Sequence, residues 1–331
     1  MNRSPDGGGS IPGHDSLIRR LGWSDPERWW QHWHQRNGLH LASQVWPTGI
    51  DERWITGLAL PLLSLLERAA ASGDRHVIGL SALPGCGKST LGHWIEAAGA
   101  CVQTSIAVVS IDDFYWPGER MEVRMAGNPW DAPRALPGSH DLALLHESLD
   151  RWQASGPLQV PCFERSLRDG KGDRAGWREL QPQVLLLEGW FLGVDPWTEQ
   201  QEADAAAIAQ ASPLTPTPEE LAYRPTICAA LRDYTPLWDR LASLWHLRAP
   251  STAATVTWKE QQDALMQRTT GVRMEAAMFR QFVRMLQLAI LPTALQSIPR
   301  ADAVVRIDAF RRIEAIEVRS ARPPGWMAMV G

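Results

Sequence analysis

Residues 79–90 read Gly79-Leu-Ser-Ala-Leu-Pro-Gly-Cys-Gly-Lys-Ser-Thr90, directly after the apolar residues Val77 and Ile78. A glycine-rich turn between a buried strand and a helix, closing on Gly-Lys-Ser-Thr, is the pattern of a phosphate-binding loop. Gly85 and Gly87 let backbone N–H groups close around phosphate oxygens, Lys88 reaches the outer phosphates, and the Ser89 hydroxyl suits Mg²⁺. The helix that follows, from Thr90 to about Ala98, aims its N-terminus at the same anion. Leu83, Pro84, Gly85, Cys86, Gly87, Lys88, Ser89 and Thr90 are therefore the expected nucleotide-binding residues. Ala82 stands where the consensus has its leading glycine, the position furthest from the phosphates.

Outward from this loop, three apolar runs have the length and branching of buried parallel strands: His76 to Ser81, Ile106 to Ile111, and Val184 to Leu187. Ala303 to Ile307 supplies a fourth. Ligands gather at the carboxyl ends of such strands in open α/β sheets. The second run ends in Ser110-Ile-Asp-Asp-Phe-Tyr115, and the third in Leu187-Glu-Gly-Trp190. An acidic residue beside a phosphate loop either accepts the proton of an attacking alcohol or holds Mg²⁺. Asp112 and Glu188 are the candidates for those roles, with Lys88 as the catalytic cation, and the residues leave open which carboxylate is the base. Ser89, Asp112 and Glu188 are the expected metal-ligating set. Two segments rich in Gly, Pro, Arg and His, 128–141 and 160–174, read as loops at the sheet rim, where arginine can grip a carboxylate or phosphate through paired hydrogen bonds.

The expected fold class is α/β: a P-loop NTPase-type three-layer fold with a mostly parallel central sheet, a helical N-terminal extension and lid or substrate loops. The expected organisation is a flexible start at 1–15, a helical segment at 16–73, and a kinase domain at 74–331 with a surface insertion near 195–225. Ser24-Asp-Pro-Glu caps a helix over 28–36, and a second helix is expected from 51 to 72.

A chain of 331 residues with a formal net charge of −4 lacks the basic field of a nucleic-acid binder, so no nucleic-acid partner is expected. The 17 tryptophans sit mostly at helical spacing in apolar segments and read as packing. Its four cysteines, Cys86, Cys101, Cys162 and Cys228, are scattered without metal-ligand spacing and read as free thiols of a reducing compartment. The longest apolar run, 58–66, is short and holds Pro61, so no membrane partner and a cytoplasmic location are expected. Cys86, beside a lysine and a helix N-terminus, is placed where a thiol's pKa falls; the simpler reading is a small residue that fits the loop. The sequence leaves the oligomeric state open.

At these residues the sequence resembles the D-glycerate 3-kinases, relatives of uridine kinase, phosphoribulokinase and pantothenate kinase. The similarity runs from about residue 50 to about residue 315. It is carried by 82–90, Ser110 to Tyr115, Leu136-Pro-Gly-Ser-His-Asp141, Gly172-Asp-Arg174 and Glu188-Gly-Trp190. Tyr234 to Trp238, Trp258 with Gln261, Gly271 with Met274, and Phe282-Val283 are also similar to the family pattern and read as helix packing. The resemblance implies ATP and Mg²⁺ as cosubstrates and transfer to the 3-hydroxyl of D-glycerate. It places Arg134, His140, Arg165 and Arg174 around that small-molecule substrate, and Asp113 and Tyr115 are further expected substrate-binding residues. Phe163-Glu-Arg-Ser166 departs from the family's Tyr-Asp-Lys-Ser, and Ser139 replaces its usual threonine, changes that bear on the acceptor. The alternatives are a P-loop kinase of another alcohol (uridine, a sugar phosphate or pantothenate) and a regulatory ATPase. A GTPase switch is disfavoured, since none of Asn2, Asn37 and Asn128 is followed by lysine.

Overall fold

The computed structural model describes residues 11–210, 214–270, 275–319 and 324–327. Six strands form the main sheet: β1 (Val77–Ala82), β2 (Ile106–Ser110), β5 (Val184–Gly189), β6 (Leu241–Arg248), β7 (Ala303–Ile307) and β8 (Ile313–Val318). Their spatial order is β2-β5-β1-β6-β7-β8. All neighbours are parallel except β8, which runs antiparallel to β7. β3 (Leu158–Glu164) and β4 (Asp173–Leu180) form a separate antiparallel hairpin. Helices cover the sheet, giving the expected α/β architecture with a mostly parallel sheet.

The central strands follow from their composition. β1 is buried along its whole length and β5 at all but one residue, as required of strands packed on both faces. β6 escapes sequence reading because Leu241-Ala-Ser-Leu-Trp-His-Leu-Arg248 has no β-branched residue; its place between β1 and β7 decides its conformation. Segment 160–174, read as a loop, instead supplies two hydrogen-bonded arms, and only residues 165–172 turn between them. Pro161 is tolerated because a two-stranded ribbon has free edges.

The expected helix at 28–36 spans Pro26–Gln35, capped by Asp25, whose carboxylate accepts from the Glu27 N–H. The one expected from 51 to 72 starts at Glu52 and runs to Ala71, with a π-helical stretch at Ile55–Ala59. Pro61 has no N–H to return to the carbonyl four residues earlier, which disturbs the ladder there. This is one helix among the described residues long and apolar enough to cross a membrane, but 72% of its apolar window is buried inside the protein. Trp29 and Trp33 both donate their indole N–H to Ser64 Oγ at 2.9 Å, and Ser64 donates to the Leu60 carbonyl.

Of the expected flexible start, residues 1–10 lie outside the described residues. Residue Ile11 is already buried and a helix spans His14–Arg20. This segment lies along the sheet's last strand: Ile316 N–H donates to the Pro12 carbonyl at 2.8 Å, and Arg20 pairs with Asp302. A Cβ on Gly13 would sit 1.8 Å from the Ile316 carbonyl oxygen, so the chain comes this close to β8 only as glycine. The buried side chains of the N-terminal helices and of the sheet form one continuous hydrophobic core.

The stretch near 195–225 contains the helix Glu199–Gln210 and the start of the helix Pro218–Arg232. It is not only surface. Arg224 and Glu220 are buried, and Arg224 pairs with Glu202 at 2.6 Å while Arg284 holds Glu220. Gly271 and Met274 lie outside the described residues.

Candidate active site

The phosphate loop leaves β1 and enters the helix Lys88–Cys101. Gly85 and Gly87 have φ of +85° and +101°, a backbone that side chains with a Cβ rarely adopt. The first N–H groups of the helix have no partner within it and point at the loop's mouth. Ser89 is exposed and Thr90 half-buried. Lys88 Nζ lies across the loop, donating to the Ala82 carbonyl at 2.7 Å, and faces Glu188 Oε2 at 3.8 Å. Burial pushes the Glu188 carboxyl up, while Lys88 pulls it down.

Asp112 and Asp113 sit on one turn of 3₁₀ helix, Ile111–Phe114, beyond β2, and they face different neighbours. Asp112 Oδ2 accepts from Arg165 Nη2 at 3.2 Å, and Oδ1 faces His140 Nε2 at 3.5 Å. Burial raises the Asp112 carboxyl, but His140, Arg165 and Tyr115 together outweigh it and hold the group well below the usual carboxylate range. Asp113 Oδ2 accepts from Arg178 at 2.8 Å. Burial lifts its carboxyl to about 6 against the pull of Arg178, helped by repulsion from Asp112.

Asp113 shares a cavity of about 320 Å³ with Ser89, Ser110, Glu188 and Arg178, under the Phe163 end of the hairpin. Two carboxyls raised by burial and a serine hydroxyl line this cavity, oxygen donors of the kind a hard divalent cation takes, with Arg178 on Asp113 and Lys88 facing Glu188 as the cations present. Asp112, in the expected metal set, does not line this cavity.

The remaining expected substrate residues divide into two kinds. Tyr115 is buried, stacked on the His140 ring with centroids 4.6 Å apart, and meets Phe163 edge-on. Arg165 sits at the hairpin tip with an exposed side chain. Arg134 donates to the carbonyls of Gly170 and Lys171, both at 2.8 Å, and so ties down that tip. Arg174 is a strut: it donates to the Tyr115 carbonyl and to Asp141 Oδ2, at 2.9 Å and 3.0 Å. His140 stands behind Asp112, 2% exposed, and not at the open surface.

Cys86 is fully buried, and burial pushes its thiol up to about 12 despite Lys88 and Arg311 nearby. The expectation of a pKa lowered by the lysine and the helix N-terminus is therefore corrected, because loss of hydration outweighs both cations. The simpler reading, a small residue that fits, is what the structure contains.

Several residues around the loop were not anticipated. A second cavity, about 660 Å³, opens from Gly85–Thr90 and is walled by Trp46 to Asp51, Trp54, Trp258, Gln261 and the turn Phe310–Arg312. Arg311 clamps that turn to the loop, donating to the Gly85 carbonyl at 2.8 Å and to Gln261 at 2.9 Å, with its guanidinium over Trp258. Phe310 is 78% exposed at the rim. Lys259, next to Trp258, has its pKa drawn down to about 8 by burial and by Arg165, Lys88 and Arg134. Trp258 and Gln261, read from sequence as helix packing, line this wall; the run Phe310-Arg-Arg312 after a strand was a further signal, and 46–54 carried none.

No protein-family model matches the chain. Against a D-glycerate 3-kinase of Arabidopsis thaliana, a chloroplastic protein, it is 37% identical over 132 residues, 36% of this chain and 29% of that protein. Solved structures add the fold: a D-glycerate 3-kinase from Cryptococcus neoformans superposes with a TM-score of 0.68 at 20% identity, covering 79% of this chain and 99% of that one. The chain resembles D-glycerate 3-kinases in sequence and in fold. A protein of Schizosaccharomyces pombe named as an uncharacterized kinase, mug58, is 26% identical over 214 residues, 61% of this chain and 75% of its own length. The fold is that of the P-loop kinases. The chain thus spans less than a third of its Arabidopsis relative's length in the matched region, and most of the fungal protein's.

Proposed function

We propose that this chain is an ATP-dependent kinase that transfers a phosphoryl group to the 3-hydroxyl of D-glycerate. The observation that carries the reading is Asp112, kept ionised beyond the carboxyl end of β2, two strands from the one that feeds the phosphate loop, and paired with an exposed arginine. The likeness to D-glycerate 3-kinases supports the acceptor.

In this reading the loop 83–90 holds the ATP phosphates through backbone N–H groups, and the 660 Å³ cavity takes the remainder of the nucleotide. Ser89, Asp113 and Glu188 would hold Mg²⁺, which when bound neutralises charge on the phosphates. Arg165, with the neighbouring Arg134 and Lys259, supplies positive charge for the glycerate carboxylate. Asp112 accepts a hydrogen bond from the 3-hydroxyl. As the new O–P bond forms and the bond to ADP breaks, the hydroxyl proton passes to Asp112. A carboxylate of low pKa suffices, because phosphoryl transfer of this kind needs alignment and charge neutralisation more than a strong base. Lys88 moves from the Ala82 carbonyl to the outer phosphates as they arrive.

The test is ADP release with ATP and Mg²⁺ against D-glycerate, L-glycerate, uridine, ribulose 5-phosphate and pantothenate, with the product identified. Turnover restricted to D-glycerate and yielding 3-phosphoglycerate is the expected result. Turnover of another alcohol refutes the acceptor, and ATP hydrolysis indifferent to every alcohol refutes the kinase reading in favour of a regulatory ATPase.

A further inference from the structure

We propose that Tyr234 is a positioning residue for the reaction: its buried hydroxyl fixes His140 in the Nε2–H tautomer and thereby turns a hydrogen-bond donor toward Asp112. The proposal rests on the reading of Asp112 as the group that meets the acceptor hydroxyl. Tyr234 lies between the helices Pro218–Arg232 and Thr235–Trp238, far in sequence from the phosphate loop, and its place in an apolar segment reads from sequence as simple packing.

The hydroxyl of Tyr234 is fully committed. It accepts from the Gly138 N–H at 2.9 Å and stands 2.7 Å from His140 Nδ1. The Gly138 N–H can only donate, so the hydroxyl's own proton has Nδ1 as its acceptor. Were Nδ1 to carry the proton instead, the phenolic proton would lose that acceptor inside the core, at the cost of an unpaired buried donor. Ser139 Oγ, 3.5 Å from Nδ1, is already donating to the Leu136 carbonyl at 2.6 Å and leaves the tautomer to Tyr234. Burial lowers the pKa of His140 against the pull of Asp112, and burial lifts the Tyr234 phenol to well above neutrality, so both are uncharged.

With Nδ1 occupied as an acceptor, the ring's proton sits on Nε2, which faces Asp112 Oδ1 at 3.5 Å. At that separation neither of these two buried atoms makes a formed hydrogen bond, to the other or to any other group. The ring cannot swing away: Tyr115 stacks on it, and Phe191 and Tyr234 pack against it. The order Gly138, Tyr234, His140, Asp112 forms a chain of groups each orienting the next, and it leaves Asp112 with Arg165 on one oxygen, His140 facing the other, Tyr115 beside the carboxylate, and lone-pair capacity for the incoming hydroxyl. The opposite tautomer would set a bare nitrogen lone pair against the carboxylate and turn Asp112 away.

The experiment is ¹⁵N NMR of the full chain labelled at histidine, at a fixed neutral pH, with the His140 signals assigned by their loss in His140→Gln. The expected wild-type result is a protonated Nε2 and an unprotonated, hydrogen-bonded Nδ1. In Tyr234→Phe the two nitrogens should move toward a tautomer mixture, and kcat for glycerate should fall about 10- to 100-fold with KM for ATP unchanged. A wild-type ring protonated on Nδ1 overturns the proposal with no variant needed, so a Tyr234→Phe protein that does not fold leaves it testable. In the folded variant, an unchanged tautomer or a kcat within twofold of wild type also overturns it. Absence of any turnover of D-glycerate by the wild type refutes the glycerate reading instead, while the NMR result still decides the tautomer.

Discussion

Gly85→Ala should cripple the nucleotide site through a contact that a list of loop glycines does not reveal. A Cβ at residue 85 would lie 2.5 Å from Trp258 Cβ and 3.3 Å from its carbonyl carbon. Carbon atoms pack at about 3.5–4.0 Å, so loop and helix must part by roughly 1 Å. Trp258 cannot yield, since it is buried and its indole N–H is bound to the Ala309 carbonyl at 2.9 Å. The loop must therefore shift, while φ of +85° adds backbone strain of about 1–3 kcal/mol. Misplacement of about 1 Å at a reacting group costs roughly 100-fold, or about 2.7 kcal/mol of transition-state stabilisation. We expect kcat/KM for ATP to fall by about that factor. Gly73→Ala is the control, because φ there is +89° with nothing within 4 Å of the added methyl, so it carries the strain without the clash. If Gly85→Ala melts cooperatively as Gly73→Ala does and keeps kcat/KM for ATP within threefold of wild type, the steric argument is wrong.

Ser64→Ala strands two indole N–H donors in the core, at about 1–3 kcal/mol each. Urea unfolding should show a loss of about 2–6 kcal/mol, and a loss below about 0.5 kcal/mol would mean that the two tryptophans find other acceptors. Lys259, its pKa lowered to about 8 chiefly by burial, is charged below that pH and neutral above it. On the alkaline side of about 8, kcat/KM for the anionic acceptor should therefore fall, and Lys259→Arg should flatten that limb; an identical limb in the variant refutes the assignment. The sign for stability is opposite: between about 8 and the unfolded value of 10.5 the unfolded chain binds more protons, so this group's contribution to stability rises with pH. Cys86, with its thiol pushed up to about 12, should resist a thiol reagent at pH 8 that labels exposed Cys101, as read by peptide mass mapping. Labelling of both at similar rates would contradict the burial of Cys86.

Much of the site was legible because its chemistry is local. The loop 83–90 and the acidic ends of β2 and β5 are contiguous in sequence, and their composition states both their conformation and their charge. Pairings across distance were not legible. Asp112 and Asp113 are adjacent, so sequence gives them the same neighbourhood, whereas the short 3₁₀ turn sends one to His140 and Arg165 and the other to Arg178. Arg165 and Arg174 look alike in a basic segment, yet one sits at the hairpin tip and the other is spent on Asp141. The hairpin itself was hidden by its glycines and proline, and β6 by weak strand propensity. Lys259 carries no motif, and Tyr234, in a segment similar to the family pattern, reads as packing until the fold sets His140 beside it.

The N-terminal helices do two jobs that a boundary drawn at the first central strand would separate. β8 is the outer strand of the sheet, and the backbone from Pro12 onward lies against it, so this segment works as a cover on an edge that would otherwise pair with another molecule. The same stretch of chain continues to Trp46 and Trp54, which wall the 660 Å³ cavity, and Trp54 donates to the Arg311 carbonyl in the turn that clamps the phosphate loop. A shortened protein beginning near residue 74 would lose at one stroke the cover on the β8 edge and one wall of the 660 Å³ cavity.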